Sequence, residues 1–132
     1  MIFRRFLTIA VLAGWAVVGL AAPKVPSADE VLLKAYDAFR AGDALKLQRV
    51  SSQVGAHVLS PYLEYWLLKL RIEDAPDADV RAFLQREAGT YLADRLRSDW
   101  LKELGKRGDW QRFDQELPPL AQDDLEIRCY AW

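Results

Sequence analysis

The chain of 132 residues has one cysteine, one histidine and little imbalance of charge. With Cys129 alone, no disulfide can form within the chain. His57 stands without a Cys, an Asp or a second His at ligand spacing, so the sequence offers no metal site and calls for no cofactor. Eighteen Lys and Arg face 19 Asp and Glu, a net charge of −1. A chain so balanced has no general attraction to nucleic acid or to anionic lipid. No segment carries a convincing strand pattern, and no apolar run reaches the ~20 residues a membrane span requires. What is plentiful is aromatic: five Trp, five Tyr and five Phe.

The longest apolar run sits at the start. Arg4 and Arg5 precede Phe6 to Leu20, which is apolar apart from Thr8, and Gly19-Leu20-Ala21 places small residues where a signal peptidase reads them. This three-part pattern predicts a secretory signal peptide over residues 1–21, cut after Ala21; the alternative is a retained N-terminal anchor helix. No cysteine follows the run, which excludes a lipoprotein cut. The expected destination is the periplasm, with no stable membrane insertion after cleavage. Without Arg4 and Arg5, 16 Lys and Arg remain against 19 acids, a net charge of −3. Residues 22–132 suffice for one small domain, and packing, helped by Trp66, Trp100, Trp110 and Trp132, must supply its stability.

Helix punctuation recurs along that domain. Ala22-Pro23-Lys24-Val25-Pro26 reads as an extended leader, since each proline disfavours helix at the residue before it. Ser27 to Glu30 forms a capping box, followed at helical spacing by Val31, Leu32, Ala35, Ala38 and Phe39 as far as Gly42. Asp43 caps a second helix with a looser apolar face of Leu45, Leu47, Val50 and Val54. Ser60 as N-cap and Pro61 at the first helical position open a third, whose core face is Leu63, Trp66, Leu67 and Leu70. Asp77 opens a fourth, with Val80, Phe83 and Leu84 inward, ending near Gly89. Thr90 or Asp94 starts the fifth, with a stripe of Leu92, Leu96, Trp100, Leu101 and Leu104 ended by Gly105 and Gly108. Asp109 caps a sixth containing Trp110, Phe113 and Leu117, stopped by Pro118-Pro119. A seventh begins at Asp123 or Asp124.

Pairs starting at residues 27, 60, 90 and 123 are offset by 33, 30 and 33, and Gly42-Asp43 recurs as Gly108-Asp109 at an offset of 66. Two-helix units of this length have the size of tetratricopeptide-type repeats, without their full consensus. They stack because neither helix can bury its apolar face alone. The expected fold is therefore all-α, short helix pairs stacked as a solenoid; the alternative is a helical bundle with coincidental spacing. Leu125, Cys129 and Trp132 fall on one face of the last helix, and with no capping glycine or polar repeat after them the chain reads as a fragment of a longer protein.

Five segments also resemble a known family in their order. They are Pro61-Tyr62-Leu63-Glu64-Tyr65, Ala82-Phe83-Leu84, Arg97 to Gly105 (Arg-x-x-Trp-Leu-x-x-Leu-Gly), Asp109-Trp110, and Leu125 to Tyr130 (Leu-x-x-x-Cys-Tyr). With this ordered set, the chain over roughly residues 27–132 resembles the N-terminal superhelical (U-type) domain of soluble lytic murein transglycosylases. The resemblance implies a periplasmic enzyme that cleaves peptidoglycan glycan strands with a lysozyme-like domain farther along the chain. Its expected partners are the glycan strand and those missing C-terminal domains. The family's acid is a glutamate in a Glu-Ser pair, and no Glu-Ser occurs here. No catalytic, cofactor-binding or metal-binding residue is therefore assigned, and the segment is expected to be inactive alone. The contrasting expectation is a free-standing periplasmic helical-repeat module that binds another protein.

The remaining candidates read as structural. Glu64, beside Tyr65 and Trp66, could be an acid in an aromatic setting, but one turn into a helix a carboxylate serves a cap or the helix dipole. Glu73 to Asp79 is acidic enough to suggest calcium, yet lacks the glycine and terminal glutamate of an EF-hand loop, so a turn with Asp77 as cap is expected. Cys129 on an apolar face reads as packing rather than as a reactive thiol. Trp66, Trp100 and Phe113 could stack on sugar rings, but their spacing places them in the core.

Overall fold

The computed structural model describes residues 26–55 and 57–132; the expected signal peptide, residues 1–21, and most of the expected leader lie outside them. Seven α-helices and no strand occur among the described residues: α1 (Ala28–Arg40), α2 (Ala44–Ser51), α3 (Ser60–Leu70), α4 (Asp77–Arg86), α5 (Tyr91–Arg107), α6 (Trp110–Glu116) and α7 (Leu125–Tyr130). The protein is an all-α stack of short helix pairs. The first members of successive pairs, α1, α3, α5 and α7, pack each on the next, while α2 leans on α1 and α3, α4 on α5, and α6 on α5.

The turns inside two pairs are copies of one another. Gly42 and Gly108 both have φ of 71°, the left-handed conformation that glycine adopts without penalty at a helix end. The following Asp43 and Asp109 donate their N–H groups to Ala38 and Leu104, each at 3.0 Å. Both carboxylates then cap the next helix, accepting from Lys46 N–H at 2.8 Å and Arg112 N–H at 3.4 Å. The offset of 66 between these Gly-Asp pairs is thus a repeated helix–turn–helix. The middle pair departs from it: α3 runs into a wider turn in which the Arg71 carbonyl accepts from Asp74 and Ala75.

Several sequence-level caps shift once neighbours are present. Ser27 and Thr90 cap α1 and α5, accepting from Glu30 and Ala93 N–H. Ser60 does not cap α3; Leu59 holds that position without a side-chain bond, because the Ser60 hydroxyl is engaged in the preceding loop by His57 N–H and the Gly55 carbonyl. Likewise Pro76, not Asp77, precedes α4, and Asp77 pairs with Arg112 at 2.8 Å. Asp94 is inside α5 and accepts from Ala121 N–H at 2.7 Å, tying the stretch after α6 to the stack. Gly105 does not end α5, which continues to Arg107.

Two apolar clusters fill the stack, with α3 between them. Leu32, Ala35, Ala38, Leu47 and Leu63 form the first, closed by Phe39, Val50, Val54, Leu67 and Leu70. The second is larger and gathers Tyr65, Val80, Phe83, Leu84, Leu92, Leu96, Trp100, Leu101, Leu104, Phe113 and Ile127. Leu63 and Tyr65 point to opposite clusters, and Trp66 touches both. The stripe expected on α5 is buried throughout. Trp66 and Leu67 are only half-buried, Leu45 is exposed and Trp110 is 49% exposed. In a single-row stack the neighbouring helices cover only part of each helix's circumference, so the outer edge of each apolar stripe stays in water.

Half-buried charge is paired between helices. Glu116 accepts from Arg97 at 2.5 Å and from Arg81 at 3.1 Å, joining α4, α5 and the end of α6, and the Arg81 guanidinium lies over the Trp100 ring at 5.6 Å. Burial alone would lower the Lys69 ammonium, but Asp99 at 2.9 Å and the Tyr65 hydroxyl hold it above the usual lysine range.

The short α7 is seated by Ile127, which is buried, and by Asp124, not Asp123, at its N-cap. The Asp124 carboxylate accepts from Lys102 at 2.7 Å and from Glu126 and Ile127 N–H at 3.0 and 3.4 Å. The Lys102 bond, against burial and aided by the two N–H groups, holds this carboxyl below its ordinary range and raises Lys102 in turn. A carboxyl whose folded pKa is depressed contributes stability above its unfolded pKa of about 4, lost as pH falls through the folded value. Asp124→Ala is therefore expected to cost ~1 kcal/mol near neutrality, with a smaller cost at pH 3. Thermal melts of both proteins at pH 7 and pH 3 check this; equal differences at both values would remove charge from the account.

Candidate functional site

A largely apolar concave surface lies between α1 and α3. It is an open groove of about 400 Å3 lined by Asp29, Leu32, Leu33, Tyr36, Leu59, Tyr62 and Trp66. Helical spacing builds its α1 wall: Asp29, Leu32, Leu33 and Tyr36 are three and four residues apart and share a face. That face borders the core stripe of Val31, Leu32, Ala35 and Ala38, so Leu32 is buried while Leu33 is 67% exposed. The other wall is Leu59, Tyr62 and Trp66, again one helical turn apart.

Trp66 anchors the aromatic end. Phe39 stacks on it with centroids 5.5 Å apart and planes 16° from parallel, holding its inner face. Tyr36 lies tilted at 5.5 Å and Tyr62 edge-on at 6.2 Å, and the Arg40 guanidinium sits 6.0 Å from the Tyr36 ring. The loop before α3 fixes Leu59 at the rim: the His57 imidazole accepts from Leu59 N–H at 3.1 Å, and the His57 N–H reaches the Ser60 hydroxyl at the same distance. Asp29 is the one ionisable carboxylate lining the groove. The rest of the lining is apolar and aromatic, a surface suited to contact and ring stacking.

The other residues weighed from sequence take structural places. Glu64 does not serve a cap; it pairs with Arg86 at 2.5 Å and links α3 to α4, because the α3 start is already closed by the His57 loop. The acids from Glu73 to Asp79 do not converge, and no cluster of three or more His, Cys, Asp and Glu among the described residues is placed to hold a metal ion. Cys129 is exposed rather than packed: α7 rests on Ile127 and half-buried Tyr130, leaving Leu125 73% and Trp132 100% exposed. Trp100 and Phe113 are core residues. A second hollow, lined by Arg81, Gln85, Ala88, Arg97, Glu116 and Pro119, has its charges already paired with one another.

The sequence reasoning missed Leu33, Tyr36, Leu59 and Tyr62 as groove residues. A signal for the α1 pair existed: both lie beside a stripe already wide enough to cover the core, so they are surplus apolar residues that solvent would otherwise meet. Comparison with protein families, characterised proteins and solved structures finds no match to this chain. No described helix is long and apolar enough to cross a membrane.

Proposed function

We propose that this chain is a non-catalytic helical scaffold of an exported lytic transglycosylase, a periplasmic enzyme that cleaves peptidoglycan glycan strands. Its part is to carry and position the strand for a lysozyme-like catalytic domain on the same polypeptide. The observation that supports this most is where the segments carrying the resemblance meet. Gly105, Trp110 and Tyr130 come from three of them and share one joint: Tyr130 lies against Gly105, Trp110 sits 6.4 Å from Tyr130, and Phe113 is edge-on to the same ring at 6.4 Å. A fourth segment contributes Glu64, which ties α3 to α4. Residues used in this way serve assembly of a stack, the role a scaffold requires, and leave acid catalysis, which needs a carboxyl held protonated by its site, to another domain.

The aromatic groove favours a second reading, a helical-repeat module that binds another periplasmic protein. One experiment separates the two. Antibody against residues 26–132 is used to blot periplasmic fractions beside a renaturing gel cast with peptidoglycan. The scaffold reading expects an immunoreactive band well above 15.1 kDa that coincides with a zone of clearing. A band at or below that mass with no clearing would refute it and favour the binding module.

A further inference from the structure

The hollow bordered by α4, α5 and the end of α6 holds more positive than negative charge. Three ionised groups line its volume of about 360 Å3: Arg81, Arg97 and Glu116. Both guanidinium groups pair with the one carboxylate, so two cations face a single anion and the pairing leaves a positive remainder. We propose that this hollow binds the C-terminal carboxylate of a peptide, which offsets the remainder by accepting from the nitrogens that Glu116 leaves unused. The assignment does not depend on the scaffold reading.

First, each guanidinium has donors to spare. Hydrogen bonds use only Nε of Arg81 and Nη1 of Arg97, whereas every guanidinium nitrogen carries N–H. None of the remaining nitrogens is sealed from solvent without a partner. The unused donors therefore open outward, although the Arg97 side chain is only 13% exposed. Second, these donors are held before a ligand arrives. Glu116 fixes both groups, its carbonyl also accepts from Arg97 at 3.4 Å, and the Trp100 ring supports Arg81 at 5.6 Å. Ordering them on binding thus costs little, and their planar forks match a carboxylate. Third, Gln85 lies one turn after Arg81 on α4 and lines the same hollow. Its amide has no hydrogen-bond partner among the described residues, and it offers the donor and acceptor that the peptide group beside a C-terminal carboxylate requires. Fourth, Leu84 and Pro119 add apolar lining, which removes a terminal side chain from water and does nothing for an inorganic anion. Asp94, in the adjoining hollow that Arg97 also lines, accepts from Ala121 N–H and from neither arginine.

The test is a titration of the isotope-labelled chain with N-acetyl-alanyl-alanine in low-salt buffer, where screening is weak. NMR follows the Nε–H signals of Arg81 and Arg97 and the side-chain amide of Gln85. The expected result is saturable shifts at all of these, absent when the same dipeptide carries a C-terminal amide. Arg81→Lys keeps the charge and loses the fork; it is expected to weaken affinity ~10-fold with an unchanged circular dichroism spectrum. No saturable shift, or equal shifts with the amidated dipeptide, would overturn the proposal. So would inorganic phosphate binding as tightly as the dipeptide, which would make the hollow a general anion site, or an undiminished affinity in Arg81→Lys.

Discussion

Replacing Trp100 by alanine is expected to lower the unfolding free energy by ~3–5 kcal/mol, the range for removing a large aromatic side chain from a core. Trp100 is 1% exposed and belongs to the larger cluster with Phe83, Leu96, Leu104 and Phe113. Its ring also supports the Arg81 guanidinium, which in turn braces Glu116. Removing the indole therefore opens a cavity and loosens the contact between α4, α5 and α6 together. Small domains are stable by only ~5–15 kcal/mol, so the variant loses a large share of its stability. Urea unfolding followed by far-ultraviolet circular dichroism measures the change. A loss below ~1 kcal/mol, the size of an ordinary surface substitution, would mean that Trp100 does not hold these helices together.

Gly105→Ala is expected to destabilise the protein although alanine is the better helix former by ~1 kcal/mol. Gly105 lies inside α5, where intrinsic propensity predicts a gain. A Cβ there would stand 2.6 Å from Cγ of Tyr130 and 2.7 and 2.9 Å from its two Cδ atoms. Those atoms are at the base of the ring, so rotating the side chain cannot clear them and α7 must move. Overpacking of this kind costs ~1–3 kcal/mol. Six residues long, α7 has little besides Ile127, Tyr130 and the Asp124 cap to retain it. In a Tyr130→Ala background the obstruction is gone, and Gly105→Ala is expected to become stabilising by up to ~1 kcal/mol. The reversal of sign in a double-mutant cycle is the measurement. A stabilising effect in both backgrounds would show that Tyr130 does not occupy this place.

The helices themselves were legible because their signals are local. Capping at Ser27, Asp43, Thr90 and Asp109 depends on a side chain meeting N–H groups two or three residues ahead, and the sequence contains both partners. The α5 stripe and the Gly-Asp turns were readable for the same reason: helical period and left-handed glycine are properties of a few consecutive residues. What the sequence by itself determined is therefore the all-α class, the approximate helix boundaries and the residues facing the larger core. Tertiary structure decided what depends on distant neighbours. Ser60 and Asp77 have the composition of caps, but a loop and a partner on α6 engage them first. Gly105 resembles a helix stop until Tyr130, 25 residues away, shows that it is a clearance for an aromatic ring. The groove was equally hidden, because an apolar residue at the border of a stripe is buried or exposed according to whether another helix covers it. Beside Leu33, Tyr36 and Tyr62 no described helix does, since each helix in a single-row stack is flanked only by its neighbours.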